Sequence, residues 1–353
     1  MTLYGYNVII LPQNTLMFYI MVNRRDFLKG ASLLTLGALA ACNSNNGAAA
    51  ADGQEEAPAH KTLGLQIYTL GPELYAGDVN ANLKKIKDMG IDELELAGYD
   101  PANGQIGGID PTEFKKMCDD NGLKIISSHV NPPQLFSGAA GREDRTGKSG
   151  GWDESLKTPI IEGWKKITED HAKLGCEYLV QPMMPMFGLT SEGPVKSFAD
   201  LLNKSGEVVK AGGLKFGYHN HNMEFVKVQE KGEQDMLGTV LHRVEGTTIL
   251  DLFMSNTDAA NVLFELDVYW TVMGQEDPVE WINKHADRIQ LLHIKDRVIL
   301  GDSGMMNFKN IFDAFYANGL KHFFIEIEDT NSGKQYDRVQ ASADFLTKAS
   351  FVK

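Results

Sequence analysis

The fold is decided by four apolar runs in the second half of the chain: Phe216–His221 (FGYHNH), Phe264–Asp267 (FELD), Leu291–Asp296 (LLHIKD) and Phe323–Glu328 (FFIEIE). Each run is short, opens with aromatic or aliphatic residues and ends in a histidine or an acid. Such runs are typical of parallel strands that are covered on both faces, and helix-forming sequence separates each run from the next. Because the carboxyl ends of parallel strands meet at one edge, the acids and imidazoles are expected to lie close together.

The alternation of strand and helix begins near residue 62 and continues to the end of the chain. It predicts one (β/α)8 TIM barrel over residues 62–353, a length that suffices because such a barrel needs about 250 residues. A doubly wound open sheet is the alternative, but ligand-type residues end the late strands as well as the early ones, which favours a ring. The predicted strands are Leu63–Leu70, Glu93–Tyr99, Lys124–Val130, Tyr178–Met184, Lys215–His221, Leu263–Tyr269, Ile289–Lys295 and Phe323–Glu328.

The amino-terminal region resembles a bacterial export signal. Residues 1–42 combine the twin arginines Arg24 and Arg25 with a short apolar stretch and with the small residues that precede Cys42, as in lipoproteins. The signal is complete from Met21 onward, which makes Met21 a candidate start. We therefore expect twin-arginine export to the periplasm or cell envelope, and membrane attachment only through a lipid at Cys42.

Residues 43–61 are rich in Ala, Asn, Gly and Glu, which predicts a flexible tether between the signal and the barrel. A second irregular stretch, residues 131–159, is long for a barrel connection and is predicted to be either a lid that uses Phe136 and Trp152 or a surface insertion.

Composition excludes some partners. The chain of 353 residues carries a net charge of −13, and no basic run follows residue 29. This balance argues against a nucleic-acid partner, which usually requires a basic face. Past the signal, Cys118 and Cys176 have no spacing that suggests a disulfide framework.

The strand ends themselves predict a metal centre. Side chains two residues apart on a strand face the same side, so each run brings a pair of polar groups to the same surface. Carboxylates and imidazoles that converge in this way form divalent-metal sites, whereas a solvated ring of salt bridges at the barrel mouth is the alternative. The pairs are His219 and His221, Glu265 and Asp267, His293 and Lys295, and Glu326 and Glu328.

The sequence resembles the xylose isomerase-like TIM-barrel superfamily, the sugar phosphate isomerase/epimerase group. Its relatives include ketose 3-epimerases, hydroxypyruvate isomerase, inosose dehydratase and the endonuclease IV repair enzymes. The endonuclease IV enzymes need more metal ligands than this sequence offers and a positively charged groove, which a net charge of −13 disfavours. The resemblance covers about residues 62–350 and rests on Leu65-Gln66-Ile67-Tyr68, Glu93-Leu94-Glu95-Leu96-Ala97-Gly98, Ser128-His129, Gly217-Tyr218-His219-Asn220-His221, Glu265-Leu266-Asp267, His293-Ile294-Lys295-Asp296 and Ile325-Glu326.

The resemblance implies one metal ion bound by Asp267, His293 and Glu326. In the epimerases the ligand on the fifth strand is a glutamate, and here His219 stands in its place. Two imidazoles and two carboxylates suit Mn²⁺ or Zn²⁺, and also Co²⁺, better than Mg²⁺.

Such a site predicts a sugar isomerase or epimerase that removes a proton next to a carbonyl and forms an enediolate at the metal. Glu326 or Glu328 would take the proton, and a second group would return it or protonate a leaving group. A sugar dehydratase, a 3-keto-glycoside lyase and a non-catalytic sugar-binding lipoprotein remain alternatives, and a homo-oligomer is compatible with each. Candidates for the second group are His129, Glu95 and His221; candidates for substrate contacts are Gln66, Tyr68, Gln181, Trp270, Lys295 and Arg297.

Overall fold

The computed structural model of the protein describes residues 60–136, 152–185, 188–230, 245–328 and 332–353. The expected signal with Cys42, nearly all of the expected tether, and residues 137–151 of the long connection lie outside the described residues.

The barrel predicted from the sequence is confirmed. Eight parallel strands form a closed ring in which β1 pairs with both β2 and β8, and every other strand pairs with its two neighbours. The strands are β1 Leu63–Gln66, β2 Ile91–Leu96, β3 Lys124–His129, β4 Tyr178–Gln181, β5 Lys215–His219, β6 Leu263–Asp267, β7 Ile289–Lys295 and β8 His322–Glu326.

Helices follow every strand and cover the outside of the barrel. Short polar side chains cap many of them: Asp110, for example, accepts hydrogen bonds from the backbone of Thr112 and Glu113, and Pro111 occupies the first turn. The described helices are α1 Val79–Asp88, α2 Pro111–Asp120, α3 Lys157–Leu174, α4 Glu192–Ala211, α5 Ile249–Ser255, α6 Val268–Met273, α7 Pro278–Lys284, α8 Phe308–Ala317 and α9 Gln335–Lys348.

An apolar plug fills the barrel beneath the polar strand ends. Phe324, Leu291 and Leu263 are buried in one cluster with residues of β3 and β4. Each of these residues lies two positions before a buried polar residue of the same strand, namely Glu326, His293 or Glu265. The two-residue period of a strand therefore places the plug and the polar layer on the same inner surface.

Several strands end earlier than the sequence suggests, because their last polar side chains turn to bind the following backbone. Asp267 closes β6, and its Oδ1 accepts a hydrogen bond from the Trp270 amide at 2.8 Å, which starts α6. β5 ends at His219 and β8 at Glu326, so His221 and Glu328 lie beyond these strands rather than within them.

The start of the described chain is attached to the barrel. Lys61, expected at the end of the tether, donates hydrogen bonds to the Thr347 and Ala349 carbonyls at the end of α9, at 2.8 and 2.6 Å. Cys118 and Cys176 are buried free thiols. Among the described residues, no helix has both the length and the apolar character that crossing a bilayer requires.

Candidate active site

Four side chains from β5 to β8 converge above the apolar plug. We call His219, Asp267, His293 and Glu326 the upper cluster: each offers a ligand atom, and these atoms all lie within 4.8 Å of one another. His219 Nε2 is 3.6 Å from Asp267 Oδ2, and His293 Nδ1 is 2.9 Å from Glu326 Oε2. All four are buried.

The upper cluster leaves polar atoms unpaired. Neither ring nitrogen of His219 has a hydrogen-bond partner, and Asp267 Oδ2 also lacks one. Burial, followed by the neighbouring histidines, lowers the pKa of His219 well below its usual value, so the ring is neutral and keeps a free lone pair. Because buried polar atoms are costly without partners, this donor set fits a divalent cation.

Lys295 lies beside the upper cluster with its ammonium fully buried. Nζ is 2.9 Å from Glu326 Oε2 and 3.8 Å from Asp267 Oδ2, and it also pairs with Glu328. Burial acts to lower the pKa of Lys295, but Glu326 and Asp267 outweigh it and raise that pKa. The ammonium lies 5.0 Å from the centre of the Trp270 ring. Lys295 therefore compensates the charge of the carboxylates of Asp267 and Glu326.

A second group of ligand-type side chains lies on the other side of His293. We call Glu95, His129, Glu265 and His293 the lower cluster. His129 Nε2 is 2.7 Å from Glu265 Oε2, and His293 Nε2 is 2.5 Å from Glu95 Oε2. Since Nε2 of His293 is engaged by Glu95, its Nδ1 is the nitrogen left for the upper cluster.

Glu95 is the most completely bonded acid of the site. Its oxygens also accept hydrogen bonds from Ser127 Oγ at 2.7 Å and from Gln66 Nε2 at 2.8 Å. Burial acts to raise the pKa of Glu95, but His129 and His293 outweigh it and lower that pKa. The sequence proposes Glu95 as an acid or base, and in the structure its carboxylate contacts the imidazoles of His129 and His293.

The sequence places Glu265 among the converging polar groups but gives it no role of its own, and it lies fully buried in the lower cluster. Glu265 is two residues before Asp267, and the period of a strand places both on the same face of β6, as the sequence indicates. Burial, and then the charge of Glu95, raise the pKa of Glu265.

A cavity of about 270 Å³ opens at the carboxyl end of the barrel. This volume is slightly below the range of about 300–1,000 Å³ for pockets that hold drug-sized ligands, so it suits one sugar ring. The lining residues are Tyr68, Ala97, His129, Asn131, Pro182, Met183, His219, His221, Glu326 and Glu328.

Of the six residues expected to contact substrate, one lines the cavity and five do not. Tyr68, 48% exposed, lies at its rim. The remaining candidates for substrate contact are not among its lining residues. Gln181 is buried and donates to the Met183 carbonyl, while Arg297 is exposed to solvent. Trp152, considered for a lid, packs edge-on against Phe198 of α4, with ring centres 5.1 Å apart.

The model of one protein family, the xylose isomerase-like TIM barrel, matches residues 83–349. The chain belongs to this family. The family assignment agrees with the resemblance found in the sequence and with the closed barrel of eight parallel strands.

Several solved structures and curated proteins that resemble this chain are named as sugar enzymes. A crystal structure of a sugar phosphate isomerase/epimerase from Parabacteroides distasonis ATCC 8503 is 49% identical, with a TM-score of 0.72 over 83% of this chain and all of that one. L-ribulose 3-epimerase of Mesorhizobium japonicum is 24% identical over 77% of this chain and 85% of the relative. Inosose dehydratase of Geobacillus kaustophilus is 24% identical over 60% of this chain.

The alignments with inosose dehydratases are partial. This chain spans 62% of the length of the Geobacillus kaustophilus enzyme and 34% of the length of the Clostridium beijerinckii enzyme, to which it is 34% identical. The relatives of this chain therefore include both epimerases and dehydratases.

Proposed function

We propose that the protein is a divalent-metal-dependent sugar isomerase or epimerase that removes a proton from the carbon next to a carbonyl. The observation that carries the proposal is the upper cluster, whose ligand atoms lie within 4.8 Å of one another and which opens to the cavity through His219 and Glu326. The relatives named as epimerases support a small carbohydrate substrate. Mn²⁺ or Zn²⁺ bound there would supply Lewis acidity to a carbonyl oxygen, and Co²⁺ would also suit these ligands better than Mg²⁺.

Glu328 takes the proton in this proposal. Its carboxylate lines the cavity and remains 41% exposed, whereas Glu326 is nearly buried between His293 and Lys295. The ion pair with Lys295 restrains Glu328 at the cavity wall, which is the positioning that general-base catalysis requires.

His221 is the second proton-transfer group. It lies at the cavity rim, its ring is 4.9 Å from that of His219, and its backbone N–H donates to Glu224 at 2.8 Å. Because His221 lies beyond β5, its ring is less buried than that of His219. A proton delivered by His221 to carbon completes an epimerisation or isomerisation.

A second candidate activity is elimination, by a sugar dehydratase or a 3-keto-glycoside lyase. The epimerase pattern calls for a glutamate on the fifth strand, and His219 occupies that position, which removes one of the two carboxylates of an epimerase scheme. Together with the matches to inosose dehydratases, this favours a reaction in which His221 protonates a leaving oxygen.

One experiment separates these activities. The metal-stripped and metal-reloaded protein is incubated in deuterated water with a panel of keto sugars and 3-keto-glycosides, and the products are followed by NMR. Metal-dependent deuterium uptake with the carbon skeleton retained supports an isomerase or epimerase, whereas release of water or an aglycone indicates a lyase. Binding without exchange or release would overturn both and indicate a sugar-binding lipoprotein.

We also propose that the enzyme works in the cell envelope, exported by the twin-arginine route and anchored by a lipid on Cys42. The proposal rests on Arg24, Arg25 and the small residues before Cys42. Labelling with a radioactive fatty acid tests it: the wild type should incorporate label and Cys42→Ala should not. Label in neither protein would contradict the lipid anchor.

A further inference from the structure

The lower cluster has the composition and spacing of a metal site in its own right. Its four facing atoms form a closed ring of contacts: His129 Nε2 to Glu265 Oε2 at 2.7 Å, Glu265 Oε2 to His293 Nε2 at 3.4 Å, His293 Nε2 to Glu95 Oε2 at 2.5 Å, and Glu95 Oε2 to His129 Nε2 at 3.2 Å. Ligands at about 2.0–2.2 Å from a tetrahedral ion lie roughly 3.4 Å apart, and two of the four contacts already have about this length.

One buried atom of the lower cluster has no hydrogen-bond partner, which indicates that the cluster binds a further ligand. Glu265 is fully buried, and while its Oε2 contacts two imidazoles, its Oε1 has no hydrogen-bond partner. A buried carboxylate oxygen without a partner is expensive, and a cation bound by the same carboxylate compensates for that cost.

Charge also suits a cation. When both are ionised, the carboxylates of Glu95 and Glu265 place two negative charges inside the barrel, and one divalent ion balances both. The ring is oriented in advance, because Ser127 and Gln66 donate hydrogen bonds to Glu95 at 2.7 and 2.8 Å. Such outer partners hold metal ligands in position.

We propose that the lower cluster is a second divalent-cation site, so that the chain binds two ions that share His293. The ion in the lower cluster is held by Glu95, His129, Glu265 and Nε2 of His293, and the ion in the upper cluster is held through Nδ1 of the same ring. His293 would then hold both ions through its two ring nitrogens, with its remaining N–H proton released to solvent when the second ion binds.

The two sites differ in what they can do. Four protein ligands complete the tetrahedral set of the lower site, which is the arrangement of a structural ion, and they tie together β2, β3, β6 and β7; of these four, His129 also lines the cavity. The upper site opens to the cavity through His219 and Glu326. The lower ion therefore stabilises the barrel and orients His293, while the upper ion contacts the substrate.

Counting zinc tests the proposal. The full chain is stripped with a chelator, dialysed against Zn²⁺ and analysed for zinc per chain by mass spectrometry. We expect two ions for the wild type, one for Glu265→Gln, which loses the lower ion, and one for Asp267→Asn, which loses the upper ion but keeps the polar cap of α6. Glu93→Gln is the matched control, because Glu93 is also buried and bonded to a histidine, His322 Nδ1 at 2.7 Å, outside both clusters; it should bind two ions.

One zinc ion per chain in the wild type, or an unchanged count in Glu265→Gln, would overturn the proposal. If Glu265→Gln does not fold, anomalous diffraction at the zinc edge from wild-type crystals decides instead: two peaks on opposite sides of the His293 ring support it, and one peak contradicts it. Neither measurement needs a substrate, so the result is independent of the proposed activity.

Discussion

Lys295 and Glu328 form an ion pair across the boundary of the barrel interior: the lysine side chain is fully buried, while the glutamate side chain is 41% exposed. Because Glu328 lies beyond the end of β8, this pair restrains a carboxylate that would otherwise be free at the cavity wall. A buried ammonium that loses its carboxylates would strongly destabilise the fold. Glu326 and Glu328 therefore stabilise the charge of Lys295, and Lys295 in turn holds their carboxylates in place.

The first prediction concerns this pair. Glu328→Gln should lower kcat for deuterium exchange on the active keto sugar by roughly 10²- to 10⁴-fold, since general bases contribute about that much. Metal content should stay unchanged, because Glu328 is not a member of either cluster. Glu177→Gln is the control: Glu177 pairs with Lys124 at 3.3 Å on the exposed surface, and its loss should leave kcat as in the wild type. Full activity of Glu328→Gln would remove this residue from the mechanism.

The second prediction concerns the metal. Chelation should abolish exchange, and Mn²⁺, Zn²⁺ or Co²⁺ should restore it. His219→Gln should raise the metal concentration needed for half-restoration at least tenfold, or about 1.4 kcal/mol of binding free energy, because an imidazole ligand is lost. His322→Gln, which changes a histidine at the start of β8 outside both clusters, should need no more metal than the wild type. Exchange that persists after metal removal would contradict the prediction.

The third prediction concerns stability in acid. His171 is buried, its Nδ1 donates to the Ile167 carbonyl at 2.7 Å, and its Nε2 accepts from Ser128 Oγ at 3.0 Å, so the structure holds the neutral ring. Burial lowers the pKa of His171 to about 4. In the unfolded chain the His171 ring becomes protonated below about pH 6.5, whereas in the folded chain it stays neutral until about pH 4. The free energy of unfolding should therefore fall by up to about 3 kcal/mol between these pH values from this residue alone.

Urea unfolding at pH 7, 6, 5 and 4.5 measures this effect. His171→Gln should be less stable than the wild type at pH 7, since the amide fits the site less well, but it should lose less stability as the pH falls. Parallel pH profiles for the two proteins would show that His171 is not the responsible group.

The sequence predicted the barrel because every strand is a short apolar run and every gap is helical, and eight such units leave few alternatives. The convergence of polar groups was predicted from their position at or near the ends of strands, whereas the choice of His219, Asp267, His293 and Glu326 among them came from the family resemblance. Pairing across the barrel was not predictable, because the contact of Glu95 with His293 joins residues 198 positions apart.

The directions in which long side chains extend could not be predicted from the sequence either. Lys295 follows the pattern of a residue that contacts substrate, yet its flexible stem turns toward Glu326 and Glu328 inside the barrel. His221 was paired with His219 by the period of a strand, but β5 ends at His219, so the two rings lie at different depths. The two-residue period places side chains on one face only within the strand itself.

The last prediction concerns closure of the barrel at Gly64. A Cβ atom on this residue of β1 would lie 2.2 Å from the Phe323 carbonyl oxygen and 2.7 Å from the Phe324 ring of β8, so the two strands can pair closely only because the side chain is absent. Gly64→Ala should lower the free energy of unfolding by about 1–3 kcal/mol, since overpacking forces backbone and ring to shift. Gly193→Ala, in the first turn of α4 with no atom within 4 Å of the added Cβ, should instead be neutral or stabilise by up to about 1 kcal/mol. Equal urea midpoints for the two variants would show that the contact between β1 and β8 does not limit closure of the ring.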